Sequence, residues 1–133
     1  MAIITVGASG ADYTTVASAI SNSAATDTIQ IIDTASYNEA FPSNITWGDL
    51  TFSSTRTDVD SMPTLTLTGG NYESWWDNVD GTRTFEKMAL GNFTLNPDYT
   101  GANKFIVVDK CIRNGGGNDM FDLNDINQID RIL

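Results

Sequence analysis

The sequence predicts a mainly β chain, a short β-solenoid sealed at its N-terminal side by one α-helix. Three observations carry this expectation. Helical periodicity is confined to a single segment near the N-terminus. Everything after it divides into strands of a few residues, bounded by Gly, Asn, Asp or Ser. The intervals between strand centres are uneven, which suits a three-sided coil whose corners differ in length.

The elements follow in order. Ile3 to Val6 is a short apolar strand closed by the flexible turn Gly7-Ala8-Ser9-Gly10. Asp12 or Thr14 caps the helix that follows, because a short side-chain oxygen can accept from the free N–H groups of a first turn. Val16, Ile20 and Ala24 recur every four residues and form its narrow apolar stripe. Thr28-Ile29-Gln30-Ile31-Ile32 is a strand ended by Asp33, and Tyr37-Asn38-Glu39 opens another extended piece that Pro42 breaks. Short strands are then expected at Ile45-Thr46-Trp47, Leu50-Thr51-Phe52, Thr64-Leu65-Thr66-Leu67, Phe93-Thr94-Leu95, Phe105-Ile106-Val107-Val108, Cys111-Ile112 and Met120 to Leu123.

Such strands fit a sandwich or a solenoid. A sandwich built from hairpins would favour two-residue Asn-Gly or Asp-Gly turns. Asp80-Gly81 alone offers one, and its flanks do not read as strands. The solenoid is therefore preferred. The chain is read as one domain, with the N-terminal strand and helix cap in 1–40 and the coils in 41–133. An excursion is placed at about 69–88, where Tyr72, Trp75 and Trp76 sit beside Glu73, Asp77 and Asp80. Asn114-Gly115-Gly116-Gly117-Asn118-Asp119 reads as a flexible loop.

Two stretches carry a family resemblance. The run from Val6 through Gly7-Ala8-Ser9-Gly10 and Tyr13-Thr14-Thr15 to Ile20, and its continuation Asp27-Thr28-Ile29-Gln30-Ile31-Ile32-Asp33 with Tyr37-Asn38-Glu39, resemble the opening of pectin-lyase-like β-helices. The likeness covers about the first 40 residues and lies in the order of the elements as well as in the residues; beyond residue 45 it is compositional. It implies a right-handed parallel β-helix whose first coil is covered by an amphipathic helix, since a stack of coils otherwise exposes a backbone edge and a core cross-section. The alternative is an ordinary helix packed on a small α+β sheet.

Composition narrows the function. A chain of 133 residues with 41% hydrophobic content fits one domain with one core. It carries 17 acidic against 7 basic residues, a formal net charge of −10, and its first basic side chain is Arg56. Such a chain repels phosphate backbones and anionic lipid, so neither nucleic acid nor membrane is expected as a partner. No stretch of about 18 apolar residues is present. The N-terminal residues lack the basic start of a signal peptide, so the protein reads as made in a cytoplasm without an export signal. Histidine is absent and Cys111 is the single cysteine. Intrachain disulfides and Cys-based zinc sites are excluded, and no metal or other cofactor is expected.

Enzymes of the resembled family act on acidic polysaccharides with clustered aspartates, sometimes with calcium, and a nearby arginine or lysine. The best match here is Asp109-Lys110-Cys111-Ile112-Arg113. Neighbours on an extended strand point to opposite faces, so Asp109 and Lys110 do not share a site there, and a polar corner after an apolar strand is the preferred reading. No catalytic residue is assigned. Asp119, Asp122, Asn124 and Asp125 lack the order of a calcium loop and read as solvated turns, with a weak cation site as the lesser alternative. Cys111, beside Ile112, reads as a buried structural thiol. Asn44-Ile45-Thr46 and Asn92-Phe93-Thr94 fit the glycosylation tripeptide, which without export carries no weight. Tyr72, Trp75 and Trp76 either plug a gap beside the coil or face a partner.

Parallel strands lie about 4.8 Å apart, so four or five coils give a column only about 20 Å tall, short for a groove holding several sugars. The chain closes on Ile126 to Leu133, strand-like and apolar, with no second capping helix. Such an end is an association surface, with Ile129, Ile132 and Leu133 as expected contacts. These features are similar to those of bacteriophage virion proteins. The resemblance implies a capsid decoration (cement) protein on the virion surface, assembled with itself as a homotrimer and with the major capsid protein or another virion protein. The alternative is a polysaccharide-processing or carbohydrate-binding fragment of tail-spike or lyase type.

Overall fold

A side-chain alternation of period two sets the strands. In β2 (Thr28–Ile31), Ile29 and Ile31 are buried while Thr28 and Gln30 are half-exposed. In β4 (Leu50–Ser54), Leu50 and Phe52 point into the core. Each fully buried side chain of this kind contributes about 1.5–3 kcal/mol. In a computed structural model of the chain, the described residues are 1–40, 42, 49–68, 81–91, 93–95, 104–113, 121–123 and 129–132.

The remaining elements are β1 (Ile3–Val6), α1 (Val16–Ser21), β3 (Ser36–Ala40), a 3-10 turn at Val59–Ser61, β5 (Thr64–Thr68), β6 (Gly81–Glu86), β7 (Ala89–Leu90), β8 (Phe93–Leu95), β9 (Lys104–Asp109), β10 (Ile112–Arg113), β11 (Phe121–Leu123) and β12 (Ile129–Ile132). The protein is mainly β, with parallel sheets and little helix. A six-stranded sheet runs β1-β2-β4-β6-β9-β12, a second runs β10-β7-β5-β3, and a third pairs β11 with β8. Every strand pairing among the described residues is parallel. Parallel neighbours cannot be joined by tight turns. Here the chain passes through another sheet before returning to the first, except between β1 and β2, where α1 makes the connection.

The core lies between the first and second sheets. Register places Ile4, Ile29, Phe52, Phe85 and Val108 in one column of the first sheet. Tyr37, Leu65 and Leu90 form the facing column of the second. Phe52 and Phe85 stack with ring centroids 5.2 Å apart and planes 9° from parallel. α1 packs on β1, β2 and β3 and covers the first layer.

Several expectations change. The helix cap is Thr15, whose side chain accepts from Ser18 N; Asp12 and Thr14 do not cap it. The helix stops at Ser21, so Ala24 is exposed outside it and Ala19 joins Val16 and Ile20 on the buried face. The excursion ends before Gly81, because Gly81–Glu86 is an inner strand of the largest sheet and Met88 is wholly buried. The flank after Asp80-Gly81 is thus a strand. An arginine at an inward position had masked its alternation. The expected strand at Ile45-Thr46-Trp47, the loop at 114–119 and most of the excursion lie outside the described residues.

Candidate functional site

β1 and β12 are the two outer strands of the six-stranded sheet. β1 accepts from β2 through Ala2 O (Thr28 N, 2.8 Å) and Val6 O (Ile32 N, 2.9 Å). Alternation then turns the main-chain groups of Thr5 and Gly7 to the outer edge. The chain covers that edge itself. Thr5 N donates to Asp12 Oδ2 at 2.9 Å, Tyr13 N donates to Thr5 O at 3.1 Å, and Gly7 N donates to Tyr13 O at 3.1 Å. Asp12-Tyr13 lies along β1 as a two-residue substitute for a strand, and Tyr13 forms a parallel bridge with Val6. The turn that brings it there needs Gly7, where a Cβ would sit 2.8 Å from Ile32 Cγ1, and Gly10, whose φ is +69°.

Side chains fasten this cover. Thr5 Oγ1 donates to Asp12 Oδ2 at 2.8 Å and accepts from Asp12 N at 2.9 Å. The Thr5 N–H, followed by its hydroxyl, holds the Asp12 carboxyl below the usual range. Glu39 of β3 reaches up to accept from Val16 N at 2.6 Å, tying the helix start to the second sheet. Asp27 accepts from Ala24 N at 2.8 Å and Ala2 N at 2.6 Å, and these bonds lower its pKa against a smaller effect of burial. Asp33 accepts from Ala8 N at 2.9 Å, Ala35 N at 3.1 Å and Tyr37 Oη at 3.0 Å. Burial acts to raise its pKa, but the Ala35, Ala8 and Tyr37 hydrogen bonds together outweigh it. Burial and then the Asp33 bond push the Tyr37 hydroxyl up to about 12. Further along, Asp49 accepts from Thr82 N at 2.8 Å.

The far edge is built differently. β12 pairs with β9 through Ile129–Lys104, Arg131–Phe105 and Ile132–Ile106, with a register shift between Ile129 and Arg131. A bulge and charged residues are both devices that blunt an edge strand. Between the two ends, Arg83 is 0% exposed and occupies the inward position beside Leu50. Burial pulls its pKa down to about 10, partly offset by Asp49.

Ile129 and Ile132 lie on the outer strand β12, while Tyr72, Trp75, Trp76 and Leu133 lie outside the described residues. Asp109 ends β9 and Lys110 lies beyond it at a polar corner. Lys110 adopts φ +52° and its Nζ is 3.7 Å from Asp109 Oδ2, with both side chains exposed. Cys111 is half-buried rather than buried, and its Sγ lies 3.4 Å from both Phe85 O and Asp109 O, to either of which its one S–H can donate. Burial pushes its thiol pKa up. Among the described residues no group of three or more Cys, Asp or Glu side chains is gathered to hold a metal ion, and no helix is long and apolar enough to cross a membrane. Asp12 closes the edge of β1 rather than capping the helix. The polar run Asp12-Tyr13-Thr14-Thr15 offers three short side-chain oxygens able to cap the helix, those of Asp12, Thr14 and Thr15, and only long-range contacts distinguish them.

No protein-family model, curated protein or solved structure matches this chain.

Proposed function

We propose that this chain is a short right-handed parallel β-helix acting as a structural virion protein, a small decoration protein that binds a phage head and stabilises it. Support for the coil comes from the order of the sheets. From β6 onward the chain visits the first, second and third sheet in turn, and each strand pairs in parallel with the previous one in its sheet. The likeness of residues 6–39 to pectin-lyase-like openings supports the hand.

One observation carries the structural role: what the carboxylates bind. Asp12, Asp27, Asp33, Glu39 and Asp49 each accept a main-chain N–H, and four of these contacts span more than 20 residues of sequence. A general acid has to hold a proton near neutral pH, which requires a raised pKa. Asp12, Asp27 and Asp33 are shifted the other way. Carboxylates held like this brace one layer against the next. The partners that fit are further copies, as a homotrimer, and the major capsid protein or another virion protein.

Sedimentation of the purified protein with and without assembled phage heads tests this, alongside light scattering of the protein alone. A discrete trimer, or protein that pellets with the heads, is expected. A monomer indifferent to heads, or release of unsaturated products from acidic polysaccharides, would overturn it.

A further inference from the structure

We propose that Asp12-Tyr13 is an edge guard, which keeps β1 from pairing with β12 of a second copy and so prevents head-to-tail growth. The two strands are opposite edges of one sheet whose pairings are all parallel, and each is four residues long. A second molecule in the same orientation would set its β12 on β1 and continue the sheet. That contact is heterologous and does not close, so it would propagate.

The alternative, a regular antiparallel pair of two β12 strands about a two-fold axis, is disfavoured. Facing residues must lie on the same side of the sheet. A pair centred on this strand therefore sets Asp130 against its own counterpart, or Arg131 against its own. β1 (Ile3-Ile4-Thr5-Val6) carries no charge and raises no such conflict. α1 covers the core beside this edge, and at the backbone edge itself the guard stands in the way. Its three main-chain contacts occupy Thr5 N, Thr5 O and Gly7 N, which an incoming parallel strand would need. These contacts exist whatever the biological setting, so the inference does not depend on the virion reading.

The test compares the unaltered chain with Asp12→Ala and with Asp12→Ala/Tyr13→Pro, which also removes the donor to Thr5 O. Sedimentation velocity over a concentration series reads the size, and circular dichroism checks that the β signal persists. The double variant should form species that grow with concentration and without limit, and adding Arg131→Pro in β12 should abolish that growth, whereas Asp12→Ala alone frees only Thr5 N. A labelled peptide of residues 128–133 should bind Asp12→Ala about tenfold more tightly than the unaltered protein, the equivalent of one charge-assisted hydrogen bond. This peptide arm decides the matter if the double variant unfolds. Folded guard variants of unchanged size that ignore the peptide would overturn the inference, as would growth that survives Arg131→Pro.

Discussion

β1 and β12 close the same sheet in different ways. β1 is uncharged and regular, and a loop from its own chain fills its outer hydrogen bonds. β12 includes Asp130 and Arg131 and departs from regular register against β9. One edge is occupied and the other is blunted. Occupation depends on a few named side chains and can be undone by removing them, whereas blunting is spread through the strand. The N-terminal end is therefore the part of the molecule whose behaviour should change most with pH and with single substitutions.

The interior shared by both ends sets the scale. Phe85→Ala should cost about 3–5 kcal/mol in urea unfolding, because the ring is buried in stacked contact with Phe52 in the middle of the sheet. A cost below about 1 kcal/mol would mean that the two ends are not joined by one core. Arg83→Met should leave stability unchanged or raise it by about 1–3 kcal/mol, since an apolar side chain of similar volume avoids desolvating the guanidinium. A loss of that size would instead make Arg83 a needed tie between layers. At the N-terminal end, Glu39→Ala should cost about 1–2 kcal/mol by leaving Val16 N without its acceptor, and Glu39→Gln should recover much of that.

Acid should separate the ends further. Asp12, Asp27 and Asp33 have folded pKa values below the ordinary 3.8. Their stabilisation is complete above that value and is lost as pH falls through the depressed folded pKa. Hydrogen exchange below about pH 4 should therefore rise first around 2–13 and 24–35, while β6 and β9 stay protected. Uniform exchange along the chain would contradict this. The smallest effect concerns the corners after β6 and β9, where Lys87 and Lys110 adopt φ +57° and +52°. Replacing either with Gly should raise stability by up to about 1 kcal/mol in thermal melts.

Much of this architecture was legible in the sequence, and the exceptions have physical causes. The order β1, helix, β2, β3 could be read because each element carries its own periodicity and a polar stop. β6 could not, because Arg83 stands where an apolar residue was expected, and burial of an arginine depends on neighbours that the local pattern does not show. The apolar stripe runs on to Ala24 in the sequence because alanine continues a stripe as easily as it ends one; the turn at Asn22 and Ser23 decides, with Asn22 N and Ser23 N donating back to Ala19 O and Ile20 O. Of the candidate site, the sequence indicated strand at Ile129 to Ile132, which is an outer strand of the six-stranded sheet. It did not show that Asp12 and Tyr13 cover the opposite edge, since Thr5 and Asp12 meet only when the Gly7–Gly10 turn folds back.

Residue-resolved amide exchange of the native protein at neutral pH tests the occupied edge most directly. Thr5 and Gly7 N–H should be protected to a degree comparable with Ile32 N–H, which donates into β1 from inside the sheet. In Asp12→Ala, Thr5 alone of the three should become fast. A Thr5 N–H that already exchanges like an open edge in the unaltered protein would contradict a β1 closed by its own chain.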